Sequence, residues 1–207
     1  MTRRTARGAK TRQRIIYAAA DLFHRQGCRA TSPDAIIEAS GTGKGQFYHY
    51  FKNKTDLVHA VLQTHLAAIT TNTAPVNYAI DSWADLERWF FDHLAQQEKY
   101  SLTRGCPLAT IGNEVTETDE LIRLDLSHIF ETVRGRLMAF FIREKAQGGL
   151  AADANEQAMA DFCIGVVQGA MFQVKIKRDI QVGEAIVQEG LAHLRQYVPP
   201  PAKDGAI

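Results

Sequence analysis

At 207 residues, 45% of them hydrophobic and 23% charged, the chain can bury a full core as one elongated domain or two small ones. No apolar run stands out as a membrane span, and the basic N-terminus MTRRTARGAKTRQR lacks the apolar stretch of a secretory signal, so a cytoplasmic protein is expected. Charge is uneven: residues 1–54 hold 11 Lys/Arg against 3 Asp/Glu, a net +8, and the remainder carries −7. A basic first quarter on an acidic body predicts an anionic partner for that quarter alone, although a solubilising basic tail has the same composition.

In chain order, residues 1–8 are polar, basic and without periodicity, which predicts disorder. A first helix is expected from Ala9 to Gln26, with Ile15, Ala18, Ala19, Leu22 and Phe23 inward and Gly27 closing it. Arg7, Lys10, Arg12 and Arg14 on it can approach phosphates. Thr31 to Asp56, TSPDAIIEASGTGKGQFYHYFKNKTD, predicts two short helices around a glycine turn. Thr31 or Ser32 caps the first, Pro33 suits its opening position, and Gly41 ends it. Lys44 to Phe51 forms the second. Phe47 and Phe51 share its inner face, and Lys44, Gln46, Tyr48 and His49 are left for the outer ones. Such a helix suits a DNA major groove.

A fourth helix follows from Lys54 to Thr70, and residues 71–80 predict a linker. Ser82 caps a fifth helix reaching Tyr100, with Leu86, Trp89, Phe90, His93 and Leu94 inward. A short sixth spans Pro107 to Val115. A seventh runs from Thr118 or Asp119 to Gln147, where Gly148-Gly149 ends it. Asp153 and Glu156 are a plausible capping pair for an eighth reaching Arg178, and a ninth spans Val182 to Tyr197. No segment has strand periodicity, so the expected fold is all-α: an N-terminal three-helix helix-turn-helix domain and a C-terminal helical bundle.

The segment Thr31 to Leu57 resembles the DNA-binding domain of TetR-family transcriptional repressors. The resemblance rests on Thr31, Ile36, Ala39, Ser40, Gly41, Lys44, Gly45, the run Phe47-Tyr48-His49-Tyr50-Phe51, Lys54 and Leu57. Gly43 departs from the Ser common there, and Gln46 from a small residue. The resemblance implies a DNA-binding domain over 1–54, a ligand-sensing and dimerisation domain over 55–201 and a tail over 202–207. It also implies a homodimeric, ligand-responsive repressor, with double-stranded operator DNA and a small-molecule or electrophile inducer as partners and no membrane. Lys44 and Gln46 are expected to read bases, since Lys suits guanine and Gln suits adenine. Thr31, Tyr48, His49 and Lys54 are expected on phosphates, with Ser32 and Gly45 in the same interface.

Gly165 and Gly169, four apart, put small residues on one side of the eighth helix. They predict a close helix contact, either within the chain or between two copies. The resemblance favours the second, with Phe162, Gly165, Gly169 and Leu191 as interface residues. Trp89, His93, Phe130 and Phe172 are candidates to line an inducer cavity in the aromatic-rich body.

Catalytic constellations are missing from the sequence. Gly41-Thr42-Gly43-Lys44-Gly45 fails as a phosphate loop, because Glu38 stands where its first Gly belongs and Gly45 where Ser or Thr belongs. There is no HExxH and no GxSxG. Cys28, Cys106 and Cys163 lack CxxC or metal-ligand spacing, so neither metal nor cofactor is expected. No enzyme is expected; an all-α enzyme with a basic head or a non-specific nucleoid-type binder are the rival classes. Cys106, just before Pro107, stands where a helix start favours a thiolate, although a small buried hydrophobe is the other fate of such a Cys. Here Arg104 to Glu114 and Gly169 to Lys175 also resemble a TetR subgroup that senses electrophiles or oxidants, which implies Cys106 as sensor with Lys175 assisting.

Overall fold

The computed structural model describes residues 3–200, with side chains from residue 8 onward. The tail expected at 202–207 lies outside the described residues, as do residue 201 of the expected second domain and the Arg7 side chain. The described residues form nine helices and no strand: α1 Arg3–Gln26, α2 Pro33–Ser40, α3 Lys44–Tyr50, α4 Lys54–Thr70, α5 Trp83–Glu98, α6 Pro107–Gly112, α7 Glu120–Ala146, α8 Glu156–Lys177 and α9 Ile180–Arg195. The all-α expectation holds. α1 starts six residues before the expected Ala9.

Two compact units result. The first takes the chain up to Thr71 together with Arg104–Phe130; the second takes Asn72–Thr103 and the chain from Glu131. The charge change near residue 54 therefore does not mark a packing boundary. In the first unit α1 packs against α2, α3, α4 and α6, burying Ile15, Phe23, Ile36, Phe47, Phe51 and Leu57. Polar bonds add to this. His24 Nε2 lies 2.8 Å from the Gly105 carbonyl and so donates to it. Arg104 Nη1 meets Asp21 at 2.6 Å. The Arg29 backbone N–H donates to Glu114 at 2.8 Å, and its guanidinium to the Glu114 carbonyl at 3.0 Å. Asp125 of α7, buried, accepts from Gln63 at 2.8 Å and meets His59 Nδ1 at 2.6 Å, both on α4.

In the second unit α5, α8 and α9 pack together. Ser82 caps α5 as expected, accepting from Asp85 N–H. The expected Asp153–Glu156 cap of α8 is instead Asn155, which accepts from Ala158 N–H; its amide oxygen stands one residue before the helix, where the free N–H groups are within reach. Residues 71–80 are not a free linker. Val76, Tyr78 and Ile80 alternate into the core, and Arg136 and Arg143 donate to the carbonyls of Tyr78 and Ile80. α8 is long and apolar enough by composition to cross a membrane, against the sequence expectation. Its buried face, including Met159, Cys163, Val167, Met171 and Val174, belongs instead to the packed core.

Candidate functional site

The helix-turn-helix is built from local signals. Ser32 is extended at φ −86°, and its hydroxyl accepts from Ala35 N–H. Thr31, the other candidate cap, is fully buried, and its hydroxyl donates to the Gly27 carbonyl at 2.7 Å. This corrects its expected place on a phosphate: a side chain with no exposed surface cannot touch one. Gly41 ends α2 in the left-handed region at φ 59°, and its N–H returns to Glu38 and Ile37 carbonyls. Buried Ser40 and Thr42 pair through their hydroxyls at 2.8 Å and stiffen the turn. Gly43 then opens α3 without a side-chain cap.

Phe47 and Phe51 anchor α3, 2% and 1% exposed. Lys44, Gly45, Gln46, Tyr48 and His49 all face outward. A Cβ built on Gly45 meets nothing within 4 Å, so no neighbour in the chain requires glycine there. Lys44 Nζ pairs with exposed Asp34 of α2 at 3.0 Å. That hydrogen bond, with the carboxylate charge, raises the Lys44 pKa. Lys54 Nζ donates to the carbonyls of Cys28 at 2.9 Å and Arg29 at 3.4 Å. Its ammonium ties the α1–α2 turn to the start of α4 and stays partly exposed. Arg12 stacks over the Phe51 ring, 5.3 Å from its centroid, while Lys10 and Arg14 are exposed. The pairing of Asp34 with Lys44 had no sequence signal, since ten residues and a turn separate them.

Cys106 directly precedes α6, with φ −77° and ψ 125°, and its carbonyl accepts from the Thr110 N–H and hydroxyl at 3.0 Å each. It is half-buried, whereas Cys28 and Cys163 are buried. Burial, with the Glu114 charge, pushes the Cys28 thiol up to about 12 despite nearby Lys54, and burial pushes Cys163 up as well. Both therefore stay thiols. Lys175 is half-buried in the last turn of α8, in the second unit, and Cys106 is in the first.

The body residues divide. Trp89 is buried, 1% exposed, and His93 is partly buried beside it, the ring centroids 4.7 Å apart. Desolvation pushes the His93 pKa down to about 4, although the Trp89 carbonyl and Asp92 favour its charged form. Phe130 is half-buried at the end of the first unit. Phe172 is 58% exposed, which corrects its expected place in a cavity: at that point of α8 the side chain points away from the core. Gly165 and Gly169 are exposed, and a Cβ on either meets nothing within 4 Å. They do not serve an intrachain contact. Gly183 and Gly190 of α9 do: a Cβ on Gly183 would lie 2.5 Å from Val174 Cγ2, and one on Gly190 3.0 Å from Val166 Cγ1. Leu191 is buried within the subunit, 6% exposed, a correction to its expected place on a partner. It lies on the buried side of α9.

A capped, glycine-turned helix pair with an exposed polar second helix defines a helix-turn-helix DNA-binding protein. The model for bacterial regulatory proteins of the tetR family matches residues 15–61, and the tetracyclin repressor-like C-terminal domain matches residues 84–189. The chain belongs to the TetR family of transcriptional regulators, which are not enzymes. It is 29% identical over 172 residues to the transcriptional regulator AcuR of Cereibacter sphaeroides, covering 80% of this chain and 76% of that one. An uncharacterised HTH-type transcriptional regulator of Lactococcus lactis is 26% identical over 184 residues, 84% and 88% of the two chains. The crystal structure of regulatory protein TetR from Rhodobacter sphaeroides superposes with a TM-score of 0.75 at 26% identity, covering 87% of this chain and 97% of that one.

Proposed function

We propose that this chain is a homodimeric, cytoplasmic repressor that grips a palindromic operator with α3. It releases the DNA when an inducer enters the C-terminal domain or when Cys106 is modified. The observation that carries the reading is the outer face of α3, where Lys44, Gln46, Tyr48 and His49 stand exposed on a helix fixed by buried Phe47 and Phe51. On this reading Lys44 and Gln46 face bases, Ser32, Tyr48 and His49 face phosphates, and Gly45 lets the backbone come close. Thr31 holds the motif in shape, and Lys54 does so while facing a phosphate from the start of α4.

The partner surface is the outer side of α8 and α9. Gly165 and Gly169 leave it flat, Phe172 and Ile176 are 58% and 60% exposed, and an apolar groove of about 530 Å³ lies between Phe162, Val166, Ile186 and His193. A second copy covers this apolar surface and sets two α3 helices about one DNA turn apart, roughly 34–36 Å. Trp89 and His93 lie on the inducer side. Cys106 is the most accessible of the three cysteines, and a thiolate there attacks electrophiles. Lys175 assists it.

The test is selection of DNA fragments by the purified protein, followed by affinities for the selected and for random DNA at matched salt. A repressor binds the selected site about 10³-fold or more tighter, and Gln46→Ala flattens its base preference. Equal affinity for both DNAs makes the protein a non-specific binder. Release of DNA by a quinone from wild type but not from Cys106→Ser assigns the switch to the thiol; equal release assigns it to a non-covalent inducer.

A further inference from the structure

One buried face of α5 carries polar groups. Trp89, His93 and Gln97 stand at successive i+4 positions, so they line one side of the helix over eight residues, roughly 12 Å. Trp89 and Gln97 are 1% and 2% exposed. His93 Nδ1 lies 2.7 Å from the Trp89 carbonyl, which makes it the protonated nitrogen. Nε2 is then an acceptor, facing the Tyr78 hydroxyl at 3.4 Å. Gln97 Nε2 donates to the His93 carbonyl at 3.4 Å. Trp89 differs from these. Its Nε1–H is buried and, among the described residues, meets no acceptor. A buried donor without an acceptor is destabilising. Packing alone does not call for it: Trp89 meets the rings of Phe90 and His93 edge-on, at 4.9 and 4.7 Å, and a phenylalanine makes such contacts without an N–H.

We propose that the Trp89 indole N–H is the hydrogen-bond donor of a ligand site on this face of α5, and that its ligand is a neutral, largely apolar small molecule presenting a carbonyl oxygen. The acceptor requirement follows from the N–H. Neutrality follows from the neighbours. His93 is uncharged at pH 7, since desolvation pushes its pKa down to about 4, and Asp92 adds negative charge beside it. Tyr78 and Gln97 are neutral, and the nearby Arg136 guanidinium is engaged by the Tyr78 carbonyl at 3.1 Å, away from the hydroxyl that faces His93, so this face disfavours burial of a carboxylate. The positive end of the indole N–H is unsuited to a cation. The proposal deepens the inducer half of the repressor reading and rests on that reading only for its consequence, DNA release.

The probes are acetophenone, its hydrocarbon counterpart ethylbenzene, and benzoate. The chain has two tryptophans, so ¹⁵N-indole spectra of the full-length protein show two side-chain signals, assigned with Trp83→Phe. Acetophenone is expected to move the Trp89 indole proton downfield. It is also expected to bind about tenfold tighter than ethylbenzene, the ratio one hydrogen bond supplies, with benzoate weaker than either. In Trp89→Phe the ketone-to-hydrocarbon ratio should fall to about one. The proposal is overturned if millimolar acetophenone leaves the Trp89 signal unmoved, if ketone and hydrocarbon bind wild type alike, or if the ratio survives Trp89→Phe. Operator binding is followed in the same samples. Its loss in probe-free wild type would overturn the repressor reading and leave the ligand site standing.

Discussion

Each of the two units is held together internally by its own mix of contacts. In the first, helices far apart in sequence are tied by directional polar bonds: His24 to Gly105, Arg104 to Asp21, Arg29 to Glu114, and His59 and Gln63 to Asp125. In the second, the centre is apolar. Trp83, Phe140 and Phe141 meet edge-on or tilted, and α9 approaches α8 closely at Gly183 and Gly190. Polar ties have a preferred geometry and resist sliding, whereas apolar contacts are non-directional and judged by fit. The second unit has polar ties too, from Arg136, Arg143 and Trp83 to Tyr78, Ile80 and Glu144; those of the first join α1 and α4, which pack beside the reading helix motif, to residues 104–125. The unit proposed to admit a ligand is the one whose centre is filled by packed rings.

The largest expected effect tests fit in the second unit. Gly183→Leu should destabilise the chain by about 3 kcal/mol or more, because even its Cβ overlaps Val174 and Leu94. Gly169→Leu should leave the subunit fold intact and weaken the dimer, since its Cβ meets nothing in the chain. Denaturant unfolding and sedimentation separate the two. Equal loss of fold in both variants would erase the distinction between the inner and outer glycines.

These two pairs also show what a sequence reveals. All four glycines sit in helices with similar apolar neighbours, and periodicity within one helix does not say which side meets another. Gly165 and Gly169 were legible as a close-contact face, but its occupant was not. Gly183 and Gly190 were not legible at all. Pro33, Gly41, Phe47 and Phe51 were readable because their work is local: a helix start, a left-handed turn, an i, i+4 anchor. Thr31 and Ser32 carry the same hydroxyl one position apart, and only the path of the turn from Gly27 decides which of them caps. Lys54 looks like any cation after a reading helix until the carbonyls of Cys28 and Arg29 stand beside it.

A smaller effect tests the polar ties. His24→Phe removes the imidazole donor from the Gly105 carbonyl, which should cost about 0.5–1.5 kcal/mol, the net value of one such bond. Amide exchange should speed up first at α6 and at α1, whose packing this bond supports. Exchange unchanged at α6 would show that the apolar contacts alone hold it.

The second unit has its own polar group to test. His93 is pushed down to about 4 from 6.5, mainly by desolvation. Its folded pKa is below its unfolded one, so the unfolded chain binds the extra proton. Stability is therefore full above about pH 6.5 and falls as the pH drops toward 4. The whole shift corresponds to roughly 3 kcal/mol, and partial exposure of the ring reduces the expected loss to about 1–2 kcal/mol. His93→Gln should flatten the unfolding free energy of this unit between pH 6.5 and 4. A slope unchanged by that substitution would place the titration elsewhere.

The smallest effect returns to the reading face. Asp34 and Lys44 pair at 3.0 Å with both side chains more than 70% exposed, so the pair adds little to the fold. On DNA it matters differently. On the proposed reading Lys44 exchanges a carboxylate for a base, and the Asp34 charge is left beside the phosphates. Asp34→Asn keeps the shape and removes the charge, so it should tighten binding to operator and random DNA alike by a few-fold at low salt. The gain should shrink as salt screens it. Lys44→Ala should instead cost the operator more than random DNA, because a base contact is lost along with a charge. Titrations of both DNAs across a salt series read all of this. If Asp34→Asn leaves affinity unchanged at low salt, the carboxylate already lies clear of the DNA when α3 binds, and the pair only orients Lys44 in the free protein.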